Sequence, residues 1–454
     1  MRYSLTMTEA LFAELADVVF AKRGLEGAAY VLCGTSVTDQ EVRLLAREVI
    51  PVADAHYLSR EADRLSIGSD SYVAVAKRAR LEKHAIVFVH SHPADHSEFS
   101  PQDDQEDTKL LKFFESRAPG FVHGEMVLSS PLVCRGRVWV DGGWQNIARI
   151  RTIGRRFRFR DYVADGDEPV PEFFDRQVRA FGPDVQRLLK RIHIGVVGAG
   201  GTGSAVIEQL IRLGVGTISV FDGDRLDKSN VTRVYASKVA DEGGLKVDIQ
   251  SFHGSQIGLG TDVRAFPGYI TDQKVAKHLR DCDVIFGCTD KQAPRGILMQ
   301  LSVRYLIPCI DVAAKVHSEK QVIRGIWGRV TTVMPGEACL FCRGTIDPEK
   351  IRAESLPPEQ RDMEVAAGYI TEIATNEPAV VMFTTAVASQ AVSELLHRLT
   401  GFMGEHRLSS EVLLFFHESR TRTNRQNPRA DCLCQQRDYW GRGDTRDFLG
   451  LFWS

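Results

Sequence analysis

The segment Gly198-Ala199-Gly200-Gly201-Thr202-Gly203-Ser204 restricts the fold of this 454-residue chain more than any other. It follows an apolar run, Ile194 to Val197, and opens an amphipathic one, Thr202 to Leu213. A strand, a glycine turn and a helix in that order bring backbone N–H groups and a helix N-terminus to one point, which suits a phosphate. Further short apolar runs follow at Thr217 to Phe221, Val284 to Gly287 and Cys309 to Val312. The alternation predicts a Rossmann-like, doubly wound parallel sheet. Asp222 ends the second strand, where it can hydrogen-bond a ribose. This much also suits an NAD-dependent oxidoreductase, because a glycine loop alone does not separate the two chemistries.

The residues after the loop favour a triphosphate. Asp222-Gly223-Asp224 is followed by Asn230, Arg233 and Lys246. An amide and two cations close behind a ribose site can neutralise the charge of a departing pyrophosphate. Asp290, in Cys288-Thr289-Asp290, ends a later strand, where a carboxylate suits Mg²⁺, and Arg295 stands five residues on. Upstream are Asp175-Arg176-Gln177, Phe181-Gly182 and Gln186. The set resembles the adenylating domain shared by ubiquitin E1 enzymes and their ThiF/MoeB-type bacterial relatives, and it extends from about residue 174 to 434. The resemblance implies ATP and Mg²⁺ as cofactors, with Gly198, Gly200, Gly201 and Gly203 in the nucleotide loop. It implies Asp222 on the ribose, Asn230, Arg233 and Lys246 on phosphates, and Asp290 on Mg²⁺. Arg176 would reach a phosphate in a second subunit, so a homodimer is implied. The catalytic residues carried over are Arg176, Lys246 and Asp290. The reaction would convert a carboxylate and ATP to an acyl-adenylate and pyrophosphate.

The N-terminal part has a different pattern. Thr6 to Arg23 predicts an amphipathic helix, with capping-box spacing at Thr6 and Glu9 and Gly24 as its stop. Ala28 to Leu32 and Val42 to Ile50 predict strands, Asp70 to Leu81 a helix, and Ala85 to Val89 a strand that delivers His90. Gly124 to Leu128 and Arg137 to Val140 complete a mixed α/β unit. His90-Ser91-His92-Pro93 precedes Ser100-Pro101-Gln102-Asp103. Histidines at i and i+2 of an extended segment point the same way, and a carboxylate can add a third ligand. Three N/O ligands and an open position make a catalytic zinc site. The alternative is a polar turn after a strand.

The full spacing resembles the JAB/JAMM metalloprotease signature: His-Ser-His, seven residues, Ser, two residues, Asp. The resemblance implies that His90, His92 and Asp103 hold a catalytic zinc, that Glu26 is the general base and that Ser100 assists the oxyanion. Glu41 and Glu48 compete with Glu26, and His84 and His96 read as surface residues. The family cuts peptide or isopeptide bonds after ubiquitin-like C-termini.

Of the nine cysteines, Cys339-Leu340-Phe341-Cys342 and Cys432-Leu433-Cys434 form two close pairs. Four thiolates make a closed structural zinc site. Ubiquitin-type E1 enzymes also carry a thioester cysteine in the segment after the first pair, but residues 343–400 hold no cysteine. The acyl group then passes directly to another protein or a sulfur donor, to a hydroxyl such as Ser355, Thr371 or Thr375, or to Cys288. Cys33, Cys134, Cys282 and Cys309 read as core residues.

The domains read as 1–150, the metalloprotease; 151–173, a linker that holds part of the basic run Arg151, Arg155, Arg156, Arg158 and Arg160; and 174–454, the adenylating domain with its four-cysteine zinc site. The net charge, 57 − 59 = −2, gives no field for nucleic acid or membrane. Met1 to Glu9 lacks the pattern of a signal peptide, and Pro378 to Leu396 reads as a buried helix, so the expectation is cytoplasmic. The implied partners are a ubiquitin-like protein and an E2-like carrier. Rival readings are activation of a sulfur carrier, an NAD-dependent oxidoreductase and a non-catalytic binding scaffold.

Overall fold

A computed structural model of the chain describes residues 1–92, 98–130, 133–162, 169–367, 378–445 and 447–450. The described residues fall into two compact units. One comprises Met1–Gly166 with Arg304–Leu306 and Arg437–Phe448; the other comprises Asp167–Val303 and Ile307–Gln436.

The first unit begins with a strand, Arg2–Thr8 (β1), and only then a helix, Glu9–Val19 (α1). The expected helix from Thr6 starts late because residues 2–8 pair in parallel with two other strands. Thr8, not Thr6, caps the helix, accepting from Leu11 N at 3.2 Å. There follow Ala28–Val37 (β2), Glu41–Pro51 (β3), a small hairpin Tyr57–Arg60 (β4) and Leu65–Ile67 (β5), and helix Ser69–Glu82 (α2). Ala85–Ser91 (β6) leads to helix Pro101–Arg117 (α3), then His123–Ser130 (β7), Val133–Val140 (β8), Gly143–Ile153 (β9) and Arg158–Asp161 (β10). The main sheet runs β1-β3-β2-β6-β7-β8-β9-β10, and β1 also pairs with β9, so it closes on itself. One apolar cluster packs α1 on this sheet through Leu11, Leu15, Val31 and Val87; another gathers Tyr30, Phe88, Leu111 and Phe114.

The basic run expected in a linker lies partly in β9 and β10. Arg149 and Arg151 are 3% and 1% exposed. Arg151 donates to Ser4 Oγ at 2.7 Å and to Glu41 at 3.1 Å, and Arg149 donates to Asp161 at 3.0 Å. A charge is tolerated inside a sheet only when paired in this way. His84 was expected at the surface but is 3% exposed; the turn after α2 folds it inward. His96 lies outside the described residues.

The second unit opens with helices Asp175–Phe181 (α4) and Pro183–Arg191 (α5). Strand His193–Val197 (β11), helix Gly201–Arg212 (α6), strand Thr217–Phe221 (β12), helix Lys246–Ile257 (α7), strand Asp262–Phe266 (β13) and helix Gln273–Lys277 (α8) follow. Next come Val284–Gly287 (β14), helix Gln292–Tyr305 (α9), Cys309–Glu319 (β15) and Val322–Val333 (β16). Helices Pro348–Ser355 (α10), Pro358–Ala366 (α11) and Val381–Thr400 (α12) precede Glu411–Phe415 (β17) and Arg420–Asn424 (β18). The sheet order is β13-β12-β11-β14-β15-β16-β17-β18. The first five strands are parallel and the rest antiparallel. The expected doubly wound sheet is thus present, with an antiparallel extension, β16 to β18, beyond the last run read from the sequence at Cys309 to Val312. Among the described residues no helix is long and apolar enough to cross a membrane.

Candidate active sites

In the first unit, β6 sits between β2 and β7, with His90 opposite Ala28 and Val127. Strand alternation turns His90 and His92 to one side and Ser91 to the other. The Ser91 hydroxyl accepts from Gly27 N at 2.9 Å and donates to Val19 O at 3.0 Å, fixing the end of α1 and the approach to Glu26. Ser100 and Asp103 form the capping box of α3: Asp103 N donates to Ser100 Oγ at 3.2 Å and Ser100 N to Asp103 Oδ2 at 2.6 Å. The Ser100 hydroxyl, read from sequence as an oxyanion donor, here caps a helix.

His90 Nε2 and His92 Nε2 are 3.1 Å apart, and they lie 3.7 and 3.5 Å from the two Asp103 oxygens. Zinc bonds of ordinary length at tetrahedral angles separate donors by about 3.4 Å. The donor set and its spacing therefore fit a zinc ion. Glu26 Oε1 is 3.8 Å from His92 Nε2, and burial raises its carboxyl to about 7. The competing glutamates are elsewhere engaged: Glu41 with Arg43 and Arg151, Glu48 with Arg78. Of the three, Glu26 is the one beside the histidines.

In the second unit, the glycine loop joins β11 to α6. Gly198 has φ +94°, and a Cβ on Gly203 would lie 1.8 Å from Gly198 O, so both positions require glycine. Asp222, at the end of β12, accepts from Ala199 N at 2.6 Å and Asp224 N at 2.8 Å, and burial raises its carboxyl. Lys246 is buried and donates to Asp224 at 2.8 Å, as does the Tyr269 hydroxyl at 2.6 Å. Arg233 donates to Ser229 O at 2.7 Å, and its methylenes would touch a Cβ on Gly201 at 3.3 Å. A cavity of about 1850 Å³ is lined by Gly198, Gly200, Gly201, Asp222, Asn230, Arg233, Lys246 and Asp290. Gly203 lies behind that wall, supporting the loop. Arg176 is exposed on α4 and is not part of the lining. Sequence reasoning passed over Asp311, Lys315, Tyr269 and Arg329. Tyr269, Lys315 and Arg329 line the cavity; strand register places Lys315 and Arg329 there, and the turn after β13 places Tyr269.

Cys339 Sγ lies 3.8 Å from Cys342 and 3.5 Å from Cys432, and Cys342 lies 3.6 Å from Cys434. Zinc–sulfur bonds at tetrahedral angles give a sulfur separation of about 3.8 Å, so the four thiols also fit a zinc ion. Cys288 is half-buried and lines the cavity, where its surroundings raise the thiol above its usual range and disfavour the thiolate. Ser355 Oγ donates to Ile351 O at 2.8 Å and is outside the cavity lining. Thr371 and Thr375 lie outside the described residues.

Residues 174–436 match the ThiF family, and residues 8–133 match the prokaryotic homologs of the JAB domain. The chain is similar to the adenylyltransferase and sulfurtransferase UBA4 of Meyerozyma guilliermondii, 28% identical over 30% of this chain and 32% of that protein. It is similar to the sulfur carrier protein ThiS adenylyltransferase of Bacillus subtilis, 28% identical over 36% of this chain and 46% of the relative. The Thermus thermophilus sulfur carrier protein adenylyltransferase is 30% identical over 27% of this chain and 45% of its own length. The chain thus spans less than half the length of these curated relatives. Among solved structures, Escherichia coli MccB with succinimide aligns with TM-score 0.46 and 15% identity, over 59% of this chain and 75% of that one. The ThiF match covers more than half of the chain, so the chain belongs to the ThiF family and joins its E1-like domain to a JAB-like one.

Proposed function

We propose that the second unit adenylates the C-terminal carboxylate of a ubiquitin-like protein, and that the first hydrolyses the bond that follows such a C-terminus. The observation that carries the adenylation reading is the shared cavity, where the glycine loop, Asp222, Asn230, Arg233, Lys246 and Asp290 meet. Loop N–H groups and cations would hold the triphosphate, and Asp290 would hold Mg²⁺. The acyl carboxylate attacks the α-phosphorus, the bond to the bridging oxygen breaks, and pyrophosphate leaves with its electron pair. Arg233 and Lys246 stabilise the charge that develops. Arg176 is proposed to serve the site of a second copy.

In the first unit, His90, His92 and Asp103 would hold zinc, which when bound lowers the pKa of a water to roughly 7. Glu26, raised to about 7, takes up a proton near the histidines and returns it to the leaving amine. The four cysteines would hold a second, structural zinc. Cleavage would then bare the carboxylate that the second unit activates, or would release it from a conjugate. An E2-like carrier and a cytoplasmic setting complete the proposal.

Sulfur-carrier activation is the second reading. It is favoured by the names of the relatives and by the absence of a cysteine from residues 343–400. ATP–pyrophosphate exchange tests both: exchange that depends on a ubiquitin-fold protein ending in glycine, and that Asp290→Ala abolishes, is expected. NAD(H) binding without exchange would replace this reading with an oxidoreductase.

A further inference from the structure

The cavity is larger than the roughly 300–1,000 Å³ of ordinary small-molecule sites. Its lining crosses the sheet in a definite order. The ribose side is on β12, the phosphate loop follows β11, and Asp290 follows β14. Beyond these the wall continues onto β15 and β16 with Val312 to Lys315 and Trp327 to Arg329. β16 is two strands past β14, about 10 Å, on the side away from the adenosine. The pairing of β14 with β15 ends at Gly287 and Asp311, so Val312 to Lys315 border the cavity past that last pair.

At this far wall three charged groups meet. Asp311 is 2% exposed and accepts from Arg329 Nη2 at 2.7 Å; Arg295 Nε stands 3.2 Å from its other oxygen. Arg295 and Arg329 both line the cavity. Arg295 Nε, Arg329 Nε and Asp311 Oδ1 are buried without a hydrogen-bond partner of acceptable geometry. Two guanidinium groups against one carboxylate leave an excess positive charge. A half-satisfied network of this kind is costly unless a further group completes it. A guanidinium presents paired N–H groups that match a carboxylate in bidentate fashion.

We propose that Arg329, braced by Asp311 and assisted by Arg295, receives the C-terminal carboxylate of the acyl donor on the side of the α-phosphate remote from the adenosine. This rests on the adenylation reading. Arg329 is then a substrate-binding residue that raises the local concentration of the attacking carboxylate; the bonds made and broken are those of adenylation. A phosphate of ATP offers the same anionic chemistry, and the two sources separate by experiment.

The test uses the full chain with a ubiquitin-fold sulfur-carrier protein ending in Gly-Gly, prepared as the free acid and as the C-terminal amide. Calorimetric titration of the wild type should show the amide binding at least tenfold more weakly. Arg329→Gln should bind acid and amide alike, and Arg329→Lys, which keeps the charge and the packing, should fall between. In exchange, Arg329→Gln should raise the donor KM at least tenfold and leave the ATP KM within twofold. Equal binding of acid and amide by the wild type overturns the proposal, as does a raised ATP KM with an unchanged donor KM. Wild type that discriminates acid from amide but shows no exchange sinks the adenylation reading while Arg329 keeps its carboxylate.

Discussion

Acidification should destabilise the first unit through His123. The ring is 1% exposed. Its Nδ1 accepts from Ile86 N at 3.0 Å, and its Nε2 faces Ala118 O at 2.9 Å. That pattern requires a neutral ring protonated on Nε2, because a proton on Nδ1 would confront the Ile86 N–H. Burial lowers the imidazole from 6.5 to about 4. The unfolded ring takes up its proton near pH 6.5 and the folded ring only near 4. The ring's own contribution is therefore complete above pH 6.5 and is lost as the pH drops through that window, whereas Glu26 and Glu125, both raised to about 7 by burial, contribute with the opposite sign. At roughly 1.36 kcal/mol per unit, the descent to pH 5 costs about 2 kcal/mol, and the full 2.5 units about 3.4 kcal/mol. His84, also lowered to about 4 chiefly by burial, adds a loss of the same sign. The proposed zinc ligands would protonate in acid too, so the comparison is with His123→Gln, which keeps a donor and an acceptor but does not titrate. Scanning calorimetry of both proteins from pH 7.5 to 5 should show the wild type losing about 2 kcal/mol relative to His123→Gln, whatever background the buried carboxyls give both. Nuclear magnetic resonance should show the His123 ring titrating below pH 5. Parallel stability profiles, or a ring that titrates near 6.5, would refute the reasoning.

Other perturbations separate the sites. Glu26→Gln should keep the zinc content and lose about 10²- to 10⁴-fold in hydrolysis, whereas His92→Ala should lose the metal as well, as elemental analysis would record. Cys434→Ser should remove one zinc equivalent and lower the melting temperature of the second unit without touching hydrolysis. Gly203→Ala would place a methyl 1.8 Å from Gly198 O, so the loop must shift; ATP affinity measured by titration should fall at least tenfold.

Much of this was legible because certain chemistry demands fixed spacing. Strand alternation forces His90 and His92 to one side, and the capping box of α3 carries Asp103 to them. The glycine loop could be read because Gly198 and Gly203 have no room for a side chain. The first strand goes unread when the helix is read from Thr6, although Tyr3, Leu5 and Met7 alternate with Ser4, Thr6 and Thr8 and residues 2–8 pair with residues 41–45 and 147–153. Arg151 was placed in a linker because its partners, Ser4 and Glu41, are remote in sequence. Asp311 and Arg329 escaped notice for the same reason, since antiparallel register alone joins them. Glu26 could not be separated from Glu41 and Glu48 until their arginine partners were visible.

The most direct measurement offers the full chain a ubiquitin-fold protein with a C-terminal extension, together with ATP and Mg²⁺, and follows masses by rapid-quench mass spectrometry. We expect the trimmed protein first and its adenylate next, with Glu26→Gln blocking both on the extended substrate but adenylating the pre-trimmed one. Adenylate formation on the trimmed protein without any cleavage of extended or conjugated forms, by zinc-loaded wild type, would contradict the pairing of the two activities.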